Sequence, residues 1–137
     1  MGELSTRMAA IVAAFAAAYP ARVVTREYKD RSLLSQTVLT AGTYAILSRG
    51  EGGFDNLPER KAMDGTHRIL VAGQIQLAET ATGANIEDAE FAMVEEWKAF
   101  VRALPAGMCR LEMTNWVQST QIEHPYGWVA IDLEYIA

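Results

Sequence analysis

Apolar residues recur along the chain in two periods, and the alternation between them predicts the order of elements. Leu4, Met8, Ile11, Val12, Phe15 and Tyr19 follow the i, i+3/i+4 spacing of an amphipathic helix, which Pro20 ends. Arg22–Tyr28 (RVVTREY) is β-branched and aromatic and reads as a short strand. Asp30 is positioned to cap a short helix over 31–40, with Gly42 as its stop. Thr43–Ser48 (TYAILS) reads as a second strand. Arg49–Thr66, rich in glycine and mixed charge, reads as a long irregular stretch. From His67 to Ala78 the period is two, with Ile69, Val71, Gly73, Ile75 and Leu77 on one face. Gly73 inside that run predicts a bulge or a close backbone approach.

The 3.6-residue period then returns. Ile86, Ala89, Met93, Trp97, Phe100, Val101 and Leu104 form one stripe, widened by Phe91 and Val94, over a helix of about 28 Å. Asn85 reads as its N-cap, and Glu87, Asp88 and Glu90 suit the positive end of the helix dipole. Glu95, Glu96, Lys98 and Arg102 are expected to face water, and Pro105-Ala106-Gly107 stops the helix. Cys109–Thr120 and Trp128–Ile136 read as strands of a hairpin turning through His124-Pro125-Tyr126-Gly127. In the last strand Val129, Ile131, Leu133 and Tyr135 alternate with residues that include Asp132 and Glu134, so one face is buried and the other acidic and wet. The order predicts one α+β domain: a mostly antiparallel sheet of about five strands with helices packed on one face.

Composition narrows the function classes. Half of the 137 residues are hydrophobic, too many for intrinsic disorder. The net charge of −5 lacks the basic footprint of a specific nucleic-acid binder. Cys109 is the single cysteine, which excludes an intramolecular disulfide and a cysteine-rich zinc site. The apolar run Met8–Tyr19 is shorter than the ~20 residues of a membrane span. Glu3 offsets Arg7 before it, so the segment reads as a packed helix rather than a secretory signal, and the chain as cytoplasmic where it is made.

Chemistry-bearing motifs are sparse. Gly50-Glu51-Gly52-Gly53 is glycine-rich, yet no helix start or lysine follows to complete a phosphate cradle. His67 and His124 lack the neighbouring ligands that a zinc site wants. Cys109 beside Arg110 reads as a small buried residue at a strand start rather than a nucleophile. Asp132 and Glu134 are spaced for acid–base work, or for the wet side of a sheet and ion pairs with another chain. Trp97 and Phe100 read as core, whereas Trp116, Tyr126 and Trp128, near the bend, suit either a binding surface or a core corner.

Several stretches taken together carry a resemblance: the Ala-rich helix followed by VVTREY, the loop RGEGGFDNLPERKAMDGT, the strand RILVAGQIQLA, the helix IEDAEFAMVEEWKAFVRAL and the closing strand WVAIDLEYIA. In order, length and character the chain resembles the tail terminator proteins of long-tailed bacteriophages, the minor tail protein U-like family. The resemblance implies a virion structural protein, made in the host cytoplasm and found in the tail. It implies assembly with itself into a hexameric ring that caps the tail tube, stops its polymerisation and presents a surface to head-completion proteins. It brings no catalytic residue, metal or cofactor, and no membrane or specific nucleic-acid partner.

Ring contacts are heterologous and draw on loops and sheet edges. Arg49, Phe54, Leu57, Arg60, Lys61 and Met63 in the long loop, with Asp132 and Glu134 on the acidic strand face, are the expected interface residues. Two other classes stay open. One is a small α+β ligand-binding domain or enzyme, with a pocket between sheet and helices, using Cys109, Asp132 or His124. The other is a non-phage oligomeric adaptor that pairs sheet edges.

Overall fold

The computed structural model describes residues 2–136. Helix α1 spans Glu3–Ala18 and buries Met8, Ile11 and Phe15, the heart of the expected stripe. Strand β1 is only Val23–Thr25. The longer strand expected over 22–28 is cut short because the Glu27 N–H turns back to Thr25 Oγ1. The expected helix over 31–40 splits in two. Asp30 caps a 3₁₀ turn at Arg31–Leu33 through the Ser32 N–H. Ser35 caps α2, Gln36–Ala41, through the Val38 N–H. Gly42, at φ +84°, stops α2 as expected.

Strand β2, Thr43–Gly52, runs further than its apolar pattern. After a bulge between Ser48 and Glu51 it still pairs Glu51 with His67 and Gly52 with Thr66 on β3, Thr66–Gln76. The irregular stretch therefore shrinks to 53–65. It also has its own bonds: Leu57 and Arg60 exchange backbone hydrogen bonds of 2.8 and 3.1 Å, and the Ala62 N–H donates to Asn56 Oδ1 at 2.8 Å.

Helix α3 is Gly83–Arg102. Thr82, not Asn85, is its N-cap; Asn85 closes the reciprocal half of a capping box, so the helix starts earlier than the apolar stripe suggests. Strands β4, Leu111–Gln118, and β5, Tyr126–Tyr135, make the expected hairpin with a longer connection.

The five strands form one sheet in the order β1-β2-β3-β5-β4. Only β1 and β2 are parallel. The fold is α+β, as the element order predicts. On one face α1 and α3 pack Phe15, Met93, Trp97 and Phe100 against Tyr44, Ile46, Ile69, Val71, Val129, Ile131 and Leu133. Phe15 stacks on Trp97 with ring centroids 3.9 Å apart. A β-carbon on Gly73 would lie 2.7 Å from Val129 Cγ2 and 3.0 Å from Met93 Cε, so this glycine marks a close approach and not a bulge. The one-face expectation holds for the two long helices. Short α2 departs from it: its Leu39 lies over the other face, beside Leu47, Leu70 and Ala72. Those apolar outward positions need cover, and the 26–41 segment supplies it.

Candidate functional site

Four places bring polar or exposed apolar groups together. The first is a cleft of about 470 Å³ on the second face. Its floor includes Leu47, Leu70, Ala72 and Ala130, and Tyr28, Tyr126 and Trp128 wall it. The segment crossing it is pinned at Lys29 and Arg31. Gln74 Nε2 donates to the Lys29 carbonyl at 3.0 Å, and Arg31 pairs with Glu123 while its guanidinium stacks 4.3 Å from the Tyr126 ring centroid. Tyr126 and Trp128 thus belong to a surface cleft, whereas Trp116 turns to the helix side and meets Phe91 edge-on.

The second place lies on the same sheet face, toward the other end of the strands. A hollow of about 210 Å³ gathers Arg49, Arg68, Thr114, Asp132 and Glu134. Arg49 Nη1 donates to Asp132 Oδ1 at 2.8 Å. The fold therefore joins three expected interface residues, Arg49, Asp132 and Glu134, from distant parts of the chain. Phe54, Leu57, Arg60, Lys61 and Met63 stand apart from them, exposed on 53–65.

The third place is a serine–histidine contact that neither residue's spacing announced. Ser48 Oγ lies 2.8 Å from His67 Nε2, and His67 is 1% exposed. Its other nitrogen, Nδ1, faces Arg7 Nη1 at 3.2 Å. A guanidinium only donates, so Nδ1 accepts and Nε2 carries the proton it gives to Ser48. A hydrolytic triad needs the reverse: a carboxylate on Nδ1–H and a bare Nε2 to take the serine proton. The pair is wired against nucleophilic catalysis. Burial, and then the nearby Arg7 charge, hold the His67 imidazole below its ordinary pKa, which keeps it neutral. Arg7 also lies 3.9 Å over the Tyr135 ring, so the cluster fastens α1 to the sheet.

The fourth place corrects expectations for α3. Glu90, expected at the positive end of the helix dipole, lies two turns into a helix that starts at Gly83 and is fully buried. It accepts hydrogen bonds from Ser119 Oγ (2.5 Å), the Trp128 N–H (2.8 Å) and Gln118 Nε2 (3.1 Å). Glu96 likewise leaves the solvent and takes a bidentate contact from Arg22 and a 2.8 Å bond from the Tyr44 hydroxyl. Apolar periodicity could not find either residue, because a carboxylate counts as polar wherever its donors are. Glu90 joins α3 to both ends of the β4–β5 connection, and its three donors leave it no role at an open surface.

The remaining candidates scatter. Cys109 is exposed in the turn before β4, neither buried nor in a strand. That turn is fixed by the Leu111 N–H bond to the Met108 carbonyl, which starts the strand two residues later than its pattern suggests. His124 is exposed, with Nε2 2.7 Å from the Ala81 carbonyl. Among the described residues no group of three His, Cys, Asp or Glu could hold a metal ion, and no helix is long and apolar enough to cross a membrane. Compared with known proteins, the chain matches no family model and no curated protein.

Proposed function

We propose that this chain is a structural tail-completion protein of a long-tailed phage, a terminator that assembles as a hexameric ring. In this reading the ring caps the tail tube, ends its polymerisation and offers its other side to a head-completion protein. The single observation that carries the reading is a pair of unlike exposed surfaces on one subunit. The loop 53–65 presents Phe54, Leu57 and Met63 to solvent, and β4, an uncovered edge strand, presents Val117. Unlike surfaces on identical subunits join head to tail, and such contacts close into rings or run on as filaments. The order of elements that carries the family resemblance supports the same assignment, with no catalytic role for any side chain.

Light scattering across a concentration series, with negative-stain imaging, tests the proposal. The expected result is a ring, or a monomer that becomes one on tail tubes. A chain that stays monomeric at high concentration and does not bind assembled tubes overturns it. One observation favours a second reading: the aromatic-walled cleft of about 470 Å³ has the volume of a small-molecule site. A small molecule retained by the purified protein in native mass spectrometry is the result that would favour a ligand-binding domain instead.

A further inference from the structure

Strand β4 has a partner on one side only. Edge strands of this length are ordinarily blunted or covered, since their free backbone groups invite another chain. Bulging between Met113 and Asn115 blunts the middle of β4, but its outward face keeps two features without a counterpart. Glu112 is exposed and stands directly opposite Glu134 on β5. Like charges in directly opposed positions destabilise a sheet. Arg68 stands opposite Glu134 on β3, yet among the described residues neither carboxylate closes an ion pair. Further along the same edge, Val117 is 50% exposed.

The complement of this surface is on the same chain, in the loop between β2 and β3. Arg60 and Lys61 are adjacent, exposed and without an ion-pair partner among the described residues. Two residues on, Met63 is 87% exposed, the most exposed large apolar residue described. Within one subunit this loop does not reach β4: β3 and β5 lie between, and no hydrogen bond joins the loop to that edge. Two adjacent cations on the loop therefore match two opposed carboxylates at the sheet edge, but only between copies.

We propose that the loop 53–65 of one copy docks on the β4 edge of a second copy, with Arg60 and Lys61 against Glu112 and Glu134. This rests on the ring reading and names its contact. Each subunit then offers one loop and one edge, so the contact is head to tail. Exposed ion pairs are individually weak and screened by salt, so the contact is expected to weaken as ionic strength rises.

A charge swap tests it on the whole chain. Assembly is followed by sedimentation velocity for Glu112→Arg with Glu134→Lys, for Arg60→Glu with Lys61→Glu, and for all four together. Circular dichroism and unfolding midpoints show that each variant keeps the fold. Each reversal alone is expected to weaken assembly by about tenfold or more, and the combination to recover most of that loss. If the chain forms rings that neither reversal affects, the docking proposal is overturned and the ring reading stands. Losses that the combination does not recover also overturn direct pairing of these charges. Closed dimers that respond to the swap as expected support the docking and remove the ring. A wild-type chain that never associates removes both.

Discussion

Arg22 and Glu96, 74 positions apart, close a bidentate clasp between the start of β1 and the middle of α3, with Nη2 to Oε2 at 2.7 Å and Nε to both carboxylate oxygens at 3.1 Å. The same carboxylate accepts from the Tyr44 hydroxyl, whose burial, and then the Glu96 charge, push its pKa up, so it stays a donor. The clasp thus pins a short edge strand and satisfies a hydroxyl inside the core. Glu96→Ala is expected to cost roughly 1–3 kcal/mol in urea unfolding, since it strands a partly buried guanidinium, while the Tyr44 hydroxyl keeps the Met93 carbonyl, 3.1 Å away, as acceptor. Tyr44→Phe removes only the hydroxyl and is expected to cost about 1 kcal/mol.

A second expectation concerns Gly73. With Tyr44 Cδ1 3.2 Å away as well, a methyl group there has three neighbours that are themselves packed. Gly73→Ala is expected to lower stability by about 1–3 kcal/mol through overpacking. Thermal unfolding of the variant reads this directly, and an unchanged midpoint would show that the helix layer yields more easily than its packing implies.

The buried imidazole predicts a pH dependence. His67 is held below its ordinary pKa of 6.5 in the folded chain. Below pH 6.5 the unfolded chain takes up a proton that the folded chain refuses, so stability falls as pH drops toward the folded-state value. Above pH 6.5 both states are neutral and this contribution is flat. Unfolding free energies between pH 5 and pH 7.5 are expected to show the slope, and His67→Gln to remove that part of it.

Cys109 predicts a silence. It is exposed in a turn with no partner side chain. Cys109→Ser is expected to change stability by under about 0.5 kcal/mol and to leave assembly intact. A folded, assembling variant with a large loss of tail completion would revive an enzymatic reading.

The long apolar periods were legible because burial acts on every turn of a helix and every second residue of a strand. Met8, Ile11 and Phe15 in α1, and Ile69 and Val71 in β3, lie where their spacing puts them. Boundaries set by single hydrogen bonds were not: Thr82 displaces Asn85 as the cap of α3, and a bulge carries β2 past Ser48 to Gly52. The split of the 31–40 segment had the same origin, two capping side chains where one was expected. Long-range polar pairings were least legible. Nothing local tells that Arg49 meets Asp132, or that Glu90 and Glu96 lie under their donors while Glu95 does not.

Glu90 sets a rule for how this chain can change over time. A β-carbon at Gly127 would lie 3.1 Å from Glu90 Oε2, and the Trp128 N–H and Ser119 hydroxyl depend on the same carboxylate. Shortening position 90 alone leaves those donors dry; enlarging position 127 alone pushes the acceptor off them. Positions 90, 119 and 127 are therefore expected to drift as a set, with single departures selected against although all three are buried away from the surface. In a chain whose surface is free to diversify, that small polar joint is the kind of signature that outlasts the helix stripe, because many apolar residues can fill a stripe and very few combinations can satisfy three fixed donors.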